Sequence, residues 1–137
     1  MPYTTLALYS TVRARLSDAA DSRFDVFDGA VPTTPAGAYV VLFPDAGAAL
    51  RGRLIGEHSL LRWDVRLICV GRSPQQCMNT VAIVRGLLAG WRPDPDRSVS
   101  PLNEQDNQAS LLKDESNLQD IRYSFTLHYR IHTGRSI

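Results

Sequence analysis

The chain has 137 residues, 44% of them hydrophobic and 21% charged, with a formal net charge of +1. That length suits one domain, residues 1–137, with a single real core, and the balanced charge excludes a general attraction to nucleic acid or anionic lipid. No apolar run approaches the ~20 residues needed to cross a bilayer, and two cysteines make no disulfide framework.

The start, Met1-Pro2-Tyr3-Thr4-Thr5, lacks the basic-then-apolar pattern of a leader. The expectation is a cytoplasmic setting with Cys69 and Cys77 reduced. The fifteen Lys and Arg are all arginine except Lys113, a bias that reads first as the coding of a GC-rich genome.

In chain order, Thr4 or Thr5 caps a helix running to about Ala20, with Leu8, Tyr9, Val12, Leu16 and Ala19 on one apolar stripe. Phe24 to Asp28 alternates as a short strand, and Gly29 with Pro32 to Gly37 forms a loop. Tyr39 to Phe43 is a continuous apolar run stopped by Pro44, the mark of a buried strand. Asp45 to Gly56, rich in Ala and Gly, reads as a mobile loop or hairpin tip.

His58 to Val70 is a long strand with Leu61, Trp63, Val65, Leu67 and Cys69 on one face and Arg62, Asp64 and Arg66 on the other. Ser73-Pro74-Gln75-Gln76 is a strong helix start: Ser73 caps, Pro74 takes the first position and Gln76 completes a capping box. Cys77, Val81, Val84 and Leu88 make that helix's stripe, and Gly90 ends it. Arg97 to Leu102 reads as a short strand. Asn103 to Asp120 is polar and reads as a hairpin with little core.

Ile121 to His132 is the second long strand. Ile121, Tyr123, Phe125, Leu127, Tyr129 and Ile131 alternate with Arg122, Ser124, Thr126, His128, Arg130 and His132. Its apolar face sits on a core; the other meets water, a partner or a polyanion. The fold class predicted is α+β: a mixed, mainly antiparallel sheet with two long paired strands, covered on one face by two amphipathic helices.

No catalytic constellation emerges, and the chain reads as no enzyme, with no cofactor and no metal. His128 and His132 stand i, i+4 on a strand, ~13 Å apart, too far to share an ion; they read as exposed histidines on the wet face. Cys77 lies in a helix's first turn, where a thiol pKa falls, but no base adjoins it and the apolar stripe accounts for it better. Arg122-Tyr123-Ser124-Phe125-Thr126 resembles an RNA-recognition strand only faintly, because its aromatics share the core face. The extended loop is different: Arg51, Arg53, Leu54, Ile55, Glu57 and His58 place apolar and charged groups on a segment with no packing role, and form the candidate interface.

Taken together, several segments resemble the tail terminator (tail completion) proteins of long-tailed bacteriophages. They are the N-terminal helix, Val26-Phe27-Asp28-Gly29-Ala30-Val31-Pro32, Ala38-Tyr39-Val40-Val41-Leu42, Arg62 to Gly71 running into the helix from Ser73 to Leu88, and Tyr123 to Arg130. The resemblance implies a virion protein, assembled in the host cytoplasm, that forms a hexameric ring on the head-proximal end of the tail. The ring stops tube polymerisation and docks the head connector. The implied partners are further copies of the chain, the tail tube protein, the head–tail connector protein and passing genomic DNA bound without sequence specificity. Arg51 to His58 is the expected tube or neighbour contact, and Asn103 to Asp120 the second interface candidate. The alternatives are a head–tail connector or neck protein, or a small non-catalytic ligand- or nucleic-acid-binding α+β module.

Overall fold

The structure, a computed structural model, describes residues 5–20, 23–31, 37–45, 48–51, 59–93, 100–105, 111–116 and 118–133. Their order is α1 (Thr5–Ala20), β1 (Asp25–Asp28), β2 (Tyr39–Pro44), β3 (Ala48–Arg51), β4 (Ser59–Gly71), α2 (Pro74–Leu88), β5 (Asn103–Glu104), β6 (Leu112–Asp114) and β7 (Arg122–Thr133). This is the expected α+β class, a mixed and mainly antiparallel sheet with two helices.

The two long strands form its spine. β4 and β7 pair antiparallel in an unbroken register from Leu61↔Thr133 to Gly71↔Tyr123. The register sets like faces together: Trp63 opposes Ile131, Val65 opposes Tyr129 and Leu67 opposes Leu127. All six are buried, so the period-2 alternation of both strands is satisfied by one pairing.

Each outer track of this spine is a strand in two pieces. β2 pairs with Val65–Val70 of β4 and β3 with Ser59–Arg62, both antiparallel, along the β4 edge that β7 leaves open. The break falls at Pro44-Asp45. There Asp45 N–H donates to the Asp64 carbonyl at 3.1 Å, and the Trp63 indole N–H donates to the Asp45 carbonyl at 3.1 Å. The expected loop from Asp45 is thus partly strand, its hairpin reading being the apt one. Beyond β7, β5 pairs at Tyr129–Arg130 and β6 at Arg122–Ser124. Among the described residues, the 103–120 segment therefore pairs with β7 and not with itself. A hairpin needs two pairable halves, and the longer partner strand captures both. Of the strand expected at Arg97–Leu102, residues 100–102 are not strand and the next strand is Asn103–Glu104, while residues 94–99 lie outside the described residues. β1 closes the other end, parallel to β2.

Both helices lie on one face. α2 packs over β4 and β7, and α1 packs on α2 and β1. In α1 the buried positions are Leu8, Val12, Leu16 and Ala20; Ala20 takes the place expected for Ala19, because the buried i, i+4 series advances by about 40° per step and so winds around the helix toward its last turn. In α2 the Ser73 side chain accepts the Gln76 N–H at 3.1 Å, and Gln76 Oε1 accepts the Arg72 N–H at 2.7 Å. Cys77, Val81, Val84 and Leu88 are buried as the stripe required, joined by Thr80. Gly90 follows the helix at φ 74, a left-handed value that suits glycine, and its N–H meets the Leu102 carbonyl at 2.9 Å.

Gly71 has a different reason. A Cβ there would lie 2.6 Å from the Cys77 backbone nitrogen, so the strand-to-helix turn closes only without a side chain.

Candidate functional site

The sheet's second face carries no helix among the described residues. Its composition follows from register. Tyr39, Val70, Ser124 and Leu112 form one row across β2, β4, β7 and β6. Phe27, Val41, Ile68 and Thr126 form the next. Phe43, Arg66 and His128 follow, then Asp64 with Arg130, and last Arg62 with His132. The face is therefore graded along the strands, apolar at one end and charged at the other.

At the apolar end, Leu112 is 61% exposed. The Phe27 and Tyr39 rings meet edge to face at 6.0 Å. A hollow of about 390 Å³ is lined there by Tyr39, Ile68, Val70 and Ser124, with Asp114 and Arg122 at its rim. Arg122 is buried and its guanidinium donates to Asp120 Oδ1 at 2.8 Å and to the Gly37 carbonyl at 3.2 Å. It ties the β6–β7 turn to the segment entering β2, and its charge is neutralised locally.

The charged end centres on Asp64. Arg130 grips it with both nitrogens, Nε to Oδ1 at 2.8 Å and Nη2 to Oδ2 at 3.2 Å, the bidentate fork that suits a carboxylate. Burial pushes the Asp64 carboxyl upward, but the hydrogen bonds and charge of Arg130, with His128, outweigh it and hold the group below its ordinary value. His128 Nε2 lies 3.5 Å from Asp64 Oδ2, buried and without a hydrogen bond. His128 is thus half-buried rather than exposed as expected: its long neighbours Arg66 and Arg130 flank it across the pleat. His132 is exposed, as read. Phe43, Pro44, Asp45, Asp64, Arg66 and His128 line a second hollow of about 470 Å³. Arg66 is exposed and Arg62 half-buried, and among the described residues neither has a carboxylate partner.

The covered face supplies anchoring rather than a site. Arg85 of α2 forks onto Glu104 of β5 at 2.9 and 3.0 Å, and the Tyr129 hydroxyl donates to the same carboxylate at 3.1 Å. Burial, with Glu104 beside it, pushes the Tyr129 hydroxyl up. Cys77 Sγ donates to the Cys69 carbonyl at 3.3 Å. Both thiols are free and buried. Burial pushes Cys77 up to about 11 and Cys69 further. These are protonated core thiols, the opposite of an activated nucleophile. Among the described residues, no three of His, Cys, Asp and Glu gather as a metal set, and no helix is long and apolar enough to cross a membrane.

Of the expected interface residues, Arg51 ends β3, paired with Ser59. Arg53, Leu54, Ile55, Glu57 and His58 lie outside the described residues. Sequence reading expected one face turned to water, a partner or a polyanion; what it missed is the apolar end of that face. The signal was present in Tyr39 to Phe43: a continuous apolar run implies two covered faces, yet only one side of this sheet has helices.

No protein-family description matches the chain, and no curated protein matches it. Among solved structures, its fold resembles a chain from the virion of a native gene transfer agent particle, with a TM-score of 0.57 over 93% of each chain and 18% identity. At that identity the likeness establishes a shared fold from end to end.

Proposed function

We propose that the chain is a non-enzymatic structural protein of a phage-like virion and, within it, the tail terminator. The observation that carries this is the end-to-end fold likeness to a chain of a virion particle, 93% of both lengths. The site chemistry supports it. The half-buried acid–histidine pair on this face, Asp64 and His128, has its carboxylate clamped by Arg130, and the imidazole Nε2 makes no hydrogen bond. The face around it is broad, graded and suited to another surface. In this reading copies of the chain join into a hexameric ring at the head-proximal end of the tail, halt tube growth and receive the head connector. The tube and connector proteins are its partners, and DNA passes through without sequence-specific contacts.

The test is tail length by negative-stain electron microscopy after deleting the gene from its parent genome. Overlong, headless tails are expected. Tails of normal length lying beside filled heads would overturn the terminator role in favour of a connector, and intact particles would remove the virion role altogether.

A further inference from the structure

We infer that the open sheet face is the seat for helix α1 of a second copy of this chain, in a head-to-tail contact. The inference takes the ring-forming reading for its closed symmetry; the contact itself rests on complementarity between two surfaces of the same molecule.

The first surface is the graded face described above, apolar around Tyr39 and Leu112, with Val70 buried between them, and cationic at Arg66 and Arg62. The second is the outward side of α1. Leu6, Ala7, Ser10, Ala14, Ser17 and Asp18 are all exposed there, and Leu6 is 71% exposed. The one cation beside it, Arg13, is neutralised by Asp28, and both arginines of α1 are tied to their own chain. Arg13 Nε donates to both Asp28 carboxylate oxygens at 2.9 and 2.8 Å and its Nη1 to the Ser17 hydroxyl at 3.4 Å, and Arg15 donates to the Leu87 carbonyl while lying 4.5 Å over the Trp91 ring. The neighbouring Arg23 closes on the carbonyls of Ala19 and Ala20. Asp18 makes no ion pair among the described residues. The helix side is thus apolar at Leu6, neutral along its middle and acidic at Asp18.

The two gradients match in length. Leu6 to Asp18 is twelve residues, ~18 Å of helix. On β4, Val70 lies ~14 Å from Arg66 and ~27 Å from Arg62. With Leu6 over the row in which Tyr39 and Ser124 flank the buried Val70, Asp18 falls between the two unpaired arginines. A low helix side without long side chains can also settle into the shallow hollows over Ile68 and Thr126. Pairing the open face with itself fits worse: one orientation sets arginine against arginine, and the other sets arginine against the apolar rows. The match therefore selects a heterologous contact, the kind that closes into rings.

Disulfide trapping decides it, since it captures a weak contact as well as a strong one. Ser10→Cys protein is mixed with Thr126→Cys protein under mild oxidation; the native thiols are buried. Covalent dimers joining the unlike variants are expected, at least tenfold above those either variant gives alone. Arg66→Glu in the Thr126→Cys protein should abolish the trapping, and Asp18→Arg in the Ser10→Cys protein should restore it. Circular dichroism confirms that each variant is folded. No unlike dimer at millimolar protein, or like-with-like dimers at equal yield, would overturn the contact. The two readings fail separately. Trapping with tails of normal length after gene deletion keeps the contact and removes the terminator role. Overlong tails with no trapping keep the role and remove the contact.

Discussion

The two faces of the sheet are built from the same strands and differ only in what covers them. On the covered face Trp63, Val65, Leu67, Leu127, Tyr129 and Ile131 are buried under α1 and α2. One residue along each strand, the open face runs from apolar rows to Asp64, Arg66, His128 and Arg130 and, among the described residues, has no helix over it. The covered face is closed by its own chain and so determines stability. The open face is left half-apolar, which a fold does not need and a partner does.

Mutations break this comparison in order of size. Trp63→Ala removes the largest fully buried side chain and should destabilise by about 3–5 kcal/mol. Phe43→Ala on the open face should cost only about 1 kcal/mol. Urea titration of the pair measures the contrast, and equal losses would mean the open face is also a core. Gly71→Ala drives a Cβ against the Cys77 backbone and should cost about 1–3 kcal/mol, read in the same titration. Ser73→Ala deletes the α2 cap and should cost about 1 kcal/mol. Arg66→Glu, on the exposed end, should move stability by less than about 0.5 kcal/mol while changing self-association.

The pH dependence separates the faces as well. On the open face the Asp64 carboxyl is lowered from 3.8 on folding. Its contribution is complete above that value and is lost as pH falls through the lower folded one. Asp64→Asn should therefore flatten the acid limb of a stability–pH curve. On the covered face Cys77 rises from 9.0 to about 11 on folding. Stability from the buried thiol is complete below pH 9 and declines toward 11. Cys77→Ala should flatten that alkaline limb, with chemical denaturation at several pH values as the measurement.

Much of the fold was legible in the chain. The alternation of Leu61 to Cys69 and of Ile121 to His132 determined two long strands and their inward faces, because a period of two admits one burial solution. The Ser73-Pro74-Gln76 cap and the Cys77–Leu88 stripe determined α2, because those signals are local. The 103–120 segment was misread because its short strands have little pattern of their own; only β7's free edge tells them where to pair.

The candidate site was the least legible. Sequence reading sought it at Arg51 to His58, where apolar and charged residues sit together locally. The graded open face has one local signature, the apolar run Tyr39 to Phe43, and that run does not say what lies beside it. Its rows join Phe27, Tyr39, Phe43, Arg66, Leu112 and His128 from five strands, and it exists only once register sets them side by side. Sequence by itself decided which residues each strand turns inward, since side-chain alternation is a property of one strand. Tertiary structure alone decided which residues of separate strands share a row on the open face, since that depends on the register between elements.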